Sequence, residues 1–129
     1  MTTSFQSVGE AFTKTYYSLF DSNRSQLLPL YREQSMLSFE GSQFMGAQAI
    51  VNKLVELPFQ RVKHEIVTCD CQPTMAVQPN GILISVSGNL VIDDNVNPMK
   101  FAQCFHLLPD PASPNNFWVH NDIFRLNLG

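Results

Sequence analysis

The stretch MKFAQCFHLLPDPASPNNFWVHNDIFRLNL, residues 99–128, decides the fold. It reads as two strands, about Met99–Leu108 and Phe117–Leu128, separated by the proline-rich loop PDPASPNN. On the first, Met99, Phe101, Phe105 and Leu107 share one face, and Ala102, Cys104 and Leu108 the other. On the second, Phe117, Val119 and Ile123 oppose Trp118, Phe124 and Leu126. A sheet with one wet face alternates apolar with polar residues. These strands are apolar on both sides, so one face must cover helices and the other must meet a further apolar surface. Two covers fit: the sheet of a second copy, which is the preferred account, or loops and C-terminal residues of the same chain.

The segments upstream fit around such a sheet. Ile82–Ile92 is a long strand, closed by the polar turn Asp93–Pro98. Before it, Val62, His64, Ile66 and Thr68 alternate with Arg61, Lys63, Glu65 and Val67, and a loop around Gln72–Gly81 carries Pro73, Pro79 and the Asn80-Gly81 turn pair. A short strand Met36–Glu40, the turn Gly41-Ser42 and an extended piece Phe44–Met45 lead to a helix over Ala47–Leu57, stopped by Pro58. Phe5, Val8, Phe12, Tyr16 and Leu19 recur at helical spacing over residues 4–20, with Ser4 as N-cap. DSNRSQ ends that helix, and a helical turn around Leu27–Tyr31 follows. Helices first and hairpin-joined strands after them predict an α+β domain, an antiparallel sheet packed on helices. The 129 residues suit one domain spanning 1–129.

Composition narrows the function. Charged residues are 15% of the chain, against about 25% in an average soluble domain, which again suggests more than one apolar surface to hide. Net charge is −3 and no Lys/Arg cluster occurs, so nucleic-acid binding, which draws its affinity from cations on phosphates, is not expected. The start MTTSFQSVGEAF has no positive n-region or apolar h-region, and no run approaches the ~20 apolar residues of a membrane span. A soluble intracellular protein without membrane insertion is the expectation. Cys69, Cys71 and Cys104 form no disulfide or zinc spacing and read as reduced, packed thiols.

No nucleophile elbow, glycine-rich phosphate loop or HExxH motif occurs, so no catalytic residue, metal or cofactor is expected. His64, His106 and His120 fall in strands and read as structural. Asp122, on an otherwise apolar strand, reads either as a buried carboxylate satisfied by hydrogen bonds or as an active group.

Four segments, YYSLFDSNRSQL (16–27), MLSFEGSQFMGAQAIVNKLVELPFQRVKH (36–64), GNLVIDDNVNPMKFAQCFHLLPD (88–110) and NDIFRLNLG (121–129), resemble the nuclear transport factor 2 family. The third is similar to its fungal members in particular, and the similarity runs from Phe5 to the C-terminus. The resemblance implies a cone, in which a strongly bent antiparallel sheet wraps a long N-terminal helix and leaves a hydrophobic cavity, and a homodimer formed through the sheets. It implies a carrier that binds Ran in its GDP form and FxFG-repeat nucleoporins and works between cytoplasm, nucleus and the nuclear pore. By the same resemblance Glu40, Asp93 and Asp94 form an acidic rim for Ran, with Asn95 the alternative to Asp94. Phe39, Leu57, Val62, Met99, Ile123 and Phe124 line the cavity, and Phe5 holds nucleoporin repeats. Two other roles accompany this fold: the small scaffold subunit of a messenger-RNA export receptor heterodimer, and cavity enzymes such as ketosteroid isomerase and scytalone dehydratase.

Overall fold

The computed structural model describes residues 4–58, 61–74, 81–93 and 97–127. Helix α1 spans Ser4–Ser22. Its stripe turns Thr13, Tyr16, Tyr17 and Phe20 fully inward and packs Phe5, Val8, Phe12 and Leu19 at the edge of the core. Gly9 sits in this stripe because the helix presses on the sheet there: a Cβ added to it would lie 2.4 Å from Cys71 Sγ. Asn23 closes the helix and opens a 3-10 segment, Arg24–Leu30, its side chain accepting from the Ser25 backbone N–H at 3.2 Å.

Strand β1 (Tyr31–Phe39) and the short β2 (Ser42–Met45) form a hairpin, followed by helix α2 (Ala47–Val55). That helix stops two residues earlier than Pro58 alone suggests, which frees Leu57 from the helical stripe. Long strands β3 (Val62–Thr74), β4 (Gly81–Ile92), β5 (Met99–Asp110) and β6 (Ser113–Asn127) complete one sheet in the order β2-β1-β6-β5-β4-β3. All neighbours are antiparallel except β1 and β6, which run parallel, so the sheet is mixed where uniform antiparallel pairing was expected. The proline-rich segment 109–116 is mostly strand as well: β5 reaches Asp110 and β6 begins at Ser113.

A bulge corrects the reading of the β6 faces. Leu107 pairs with Val119 but His106 pairs with Asn121, so His120 is an extra residue on β6. Beyond it the phase inverts. Val119 therefore faces the core with Asp122 and Phe124, not with Ile123. The core side holds Ile82, Ile84, Val86, Phe101, Phe105 and Leu107 against α1. The other side keeps Leu83 and Ile123 exposed at 37% and 51%, with Cys104 and His106 between them. Among the described residues no helix is long and apolar enough to cross a membrane.

The three cysteines are free thiols. Burial, with the neighbouring Cys69 adding to it, pushes the Cys71 thiol up to about 12. The thiolate is the reactive form. Iodoacetamide at pH 8 should thus spare Cys71 in the folded protein and alkylate it in urea, as read by peptide mass spectrometry. Equal labelling in both states would contradict this burial.

Candidate functional site

Parallel pairing of β1 and β6 sets Phe39 beside Phe124. Their rings stack with centroids 4.8 Å apart and 9° between planes, and Phe101 continues the stack 5.8 Å from Phe124. Offset aromatic pairs of this kind add about 0.5–1.5 kcal/mol beyond the area they bury. This aromatic wall is one side of a cavity of about 260 Å³, lined by Phe20, Phe39, Leu57, Pro58, His64, Leu90, Ile92, Phe124 and Leu126. Eight of those nine are apolar, so the site is built to receive an apolar group. Lys53 of α2 places its ammonium 5.5 Å from the Phe39 ring and 5.7 Å from that of Phe44, capping the wall by cation–π attraction.

The acids stand where the strands leave the cavity. Glu40 directly follows Phe39; its backbone N–H donates to the Phe124 carbonyl at 3.1 Å, and its Oε1 accepts from the Leu126 N–H. One carboxylate oxygen is thereby anchored to the strand that carries two lining residues. Asp93 directly follows Ile92, donating its N–H to the Arg61 carbonyl at 2.7 Å and accepting from the Arg61 N–H at 2.8 Å. Both acids hold left-handed backbone, φ 51° at Glu40 and 50° at Asp93. Aspartate tolerates that region, whereas glutamate seldom occupies it, and such outliers concentrate at functional sites.

Of the residues expected in the cavity, Phe39, Leu57 and Phe124 line it. Val62 is buried one pocket away, beside Phe20 and Asp21, and pairs with Ile92. Met99 is half-buried and pairs with the lining residue Leu90 without lining the cavity itself. Ile123 does not belong there. Adjacent strand residues point to opposite faces, so with Phe124 inward Ile123 looks out beside Leu83, Cys104 and His106. Phe5 sits in the first turn of α1, partly buried against the core. Asp94, like Asn95, lies outside the described residues.

Asp122 is sealed in the core, 1% exposed and away from the cavity. Its carboxylate accepts from Gln103 Nε2 at 2.7 Å, from Tyr31 Oη at 2.7 Å and from Tyr16 Oη at 3.4 Å. It is the satisfied buried carboxylate of the two readings its sequence position allowed. Two cavity features escaped the sequence: the Lys53 cap, and His64 as a lining side chain held by Asp21. The inward parity of Val62 and His64 was the available signal, and nothing in the spacing linked His64 to Asp21.

The described residues thus define an α+β domain whose sheet curls about a helix and keeps an apolar cavity, with Glu40 and Asp93 each next in the chain after a residue that lines it. Comparison with known proteins gives the same answer. The nuclear transport factor 2 (NTF2) domain matches residues 8–126. Nuclear transport factor 2 of Candida glabrata is 53% identical over 128 residues, 98% of each chain, and that of Saccharomyces cerevisiae is 52% identical with the same coverage. The solved structure of nuclear transport factor 2 from Cryptosporidium parvum superposes with a TM-score of 0.86 at 45% identity, covering 95% of this chain and 94% of that one. The chain belongs to the nuclear transport factor 2 family. The fold alone is shared more widely, with the Candida albicans Mtr2–Mex67 M domain complex (17% identity, TM-score 0.72, 95% and 94% covered) and with a putative dehydratase from Streptomyces avermitilis (10%, 0.77, 98% and 98%).

Proposed function

We propose that this nuclear transport factor carries Ran in its GDP form through the nuclear pore, moving between cytoplasm and nucleus without catalysing a reaction. The observation that carries this reading is the apolar cavity behind the Phe39–Phe124 wall, with Glu40 and Asp93 at the ends of the strands that form it. Such a site suits a partner that offers an apolar anchor ringed by Lys or Arg, because desolvated rim charges select partner and register while the anchor supplies binding energy. Asp94 belongs to the same proposed rim. Phe5 is proposed to hold FxFG repeats of nucleoporins, and the exposed Leu83 and Ile123 to seat a second copy in a homodimer. An enzymatic reading has less support, since Asp122 is sealed away and His64 has no second polar side chain among the cavity-lining residues to share an acid–base exchange.

Glu40→Lys tests the site. Calorimetry should show Ran-GDP affinity falling by about 2–5 kcal/mol, more than thirtyfold, while sedimentation still reports the dimer. Unchanged affinity in a folded variant would remove Glu40 from the interface. A pull-down should also retain Ran-GDP in preference to Ran-GTP.

A further inference from the structure

Val67 is the extra residue of a bulge in β3, between the pairs Ile66–Gly88 and Thr68–Ser87. Before it Val62 and His64 face inward, and beyond it the phase inverts. Cys69 and Cys71 thus pair with the buried Val86 and Ile84 and turn toward α1. Both sulfurs meet the same turn of that helix. Cys71 Sγ fills the space that a Cβ on Gly9 would need, 2.4 Å from it. Cys69 Sγ lies 3.5 Å from Thr13 Oγ1, whose own proton goes to the Gly9 carbonyl at 2.8 Å. The two thiols also act on each other, since the Cys69 thiol adds to burial in raising Cys71. The pair is reached through Cys69, half-buried on the last strand of the sheet.

We propose that Cys69 and Cys71 form a dithiol site for a trivalent arsenical carrying one organic group, held by two As–S bonds. Geometry selects a bridged pair over a disulfide. Residues two apart in a strand lie about 6.5–7 Å apart with their side chains side by side, whereas a disulfide needs Cβ atoms only about 3.8 Å apart. An atom inserted between the sulfurs spans that gap with two bonds. Structural zinc takes four ligands, and among the described residues no group of three or more His, Cys, Asp or Glu could hold a metal ion. An organic arsenic(III) centre needs only two. In the exchange two As–O bonds of the hydrated arsenoxide break and two As–S bonds form. The two thiol protons leave with the oxygens as two molecules of water, and neither sulfur nor arsenic changes oxidation state. Cys71 therefore reacts without ionising, and once Cys69 is bonded the second exchange is intramolecular. The site shares no residue with the cavity, and the proposal does not rest on the carrier reading.

Phenylarsine oxide added to the full, reduced chain is the probe, followed by intact-mass spectrometry. One phenylarsenic group per chain should survive a wash with excess glutathione, a monothiol, and leave with 2,3-dimercaptopropanol, a dithiol. Peptide mapping should place it on the peptide that holds residues 69 and 71. Cys69→Ser and Cys71→Ser should each lose the group to glutathione, and Cys104→Ser should keep it. In the wild-type protein, a readout that needs no variant to fold, the amide resonances of Gly9, Thr13, Cys69 and Cys71 should shift while the spectrum stays dispersed. Release to glutathione, retention by either Cys69→Ser or Cys71→Ser, a label mapped to Cys104, or binding that comes only as the spectrum collapses would each overturn the proposal.

Discussion

Asp122→Ala should lower the free energy of unfolding by about 3–5 kcal/mol, measured by urea denaturation at pH 7, because it strips the centre from a buried polar network. Gln103 Nε2 and Tyr31 Oη would each lose an acceptor at 2.7 Å inside the core, and Tyr17, which donates to Gln103 Oε1 at 2.6 Å, would lose its second neighbour's anchor. Tyr16 and Tyr31 lie 2.7 Å apart and share the same carboxylate. Burial and the charge of Asp122 push both phenols well above their ordinary range, so they stay neutral donors throughout.

The same carboxylate makes stability depend on pH. Burial raises Asp122 from 3.8 to about 6, against the three hydrogen bonds from Gln103, Tyr31 and Tyr16 that pull it down. Between about pH 4 and pH 6 the folded chain therefore binds more proton than the unfolded one, and stability falls as pH rises. The contribution is on the order of 3 kcal/mol, complete below the unfolded value and lost above the folded one. Asp122→Ala lacks the group, so the stability gap between wild type and variant should narrow as pH rises from 4 to 6.5. Parallel curves would show that Asp122 titrates as it does in the unfolded chain.

Gly88→Ala should be worse than an ordinary strand substitution, costing more than about 3 kcal/mol by the same measurement. Gly88 pairs with Ile66 beside the β3 bulge, where Val67 is the extra residue. The bulge turns the Glu65 carbonyl over β4, and a Cβ on Gly88 would sit 2.1 Å from that oxygen and 3.0 Å from its carbon. Both obstacles are backbone, so relief requires the two strands to part. Ser87→Ala, one position away, provides the control: it removes the hydrogen bond between Ser87 Oγ and Thr68 Oγ1 and should change stability by only about 0.5–1.5 kcal/mol. A mild Gly88→Ala would mean that β3 moves freely at its bulge.

How far the sequence carried can be read residue by residue. The stripe of Phe5, Val8, Phe12, Tyr16 and Leu19 did make a helix, and the period-two runs made strands, because both patterns are local consequences of where side chains point. The resemblance to nuclear transport factor 2 is borne out by the family match and by relatives about half identical over nearly the whole chain. Register was beyond a local pattern. His120 is a bulge only because Leu107 and Val119 pair across the sheet, and that one residue moved Ile123 out of the cavity. The prolines of PDPASPNN looked like a loop because proline cannot donate to a ladder. Pro109 nonetheless pairs with Phe117 in the finished sheet.

The residues expected at 99–128 therefore stand, with altered partners. By itself the sequence determined two long strands there, apolar on both faces, and a helix to cover one of them. Hydrophobic periodicity is written along the chain and needs no distant contact to be read. Only the tertiary structure decided that β6 lies parallel to β1, that Phe39 meets Phe124, that Asp122 is sealed beneath Tyr16 and Tyr31, and that Asp21 turns His64 toward the cavity. Each joins residues from 43 to 106 positions apart. Such pairings are selected by packing and hydrogen-bond satisfaction in the closed fold, which no local stretch of the chain contains.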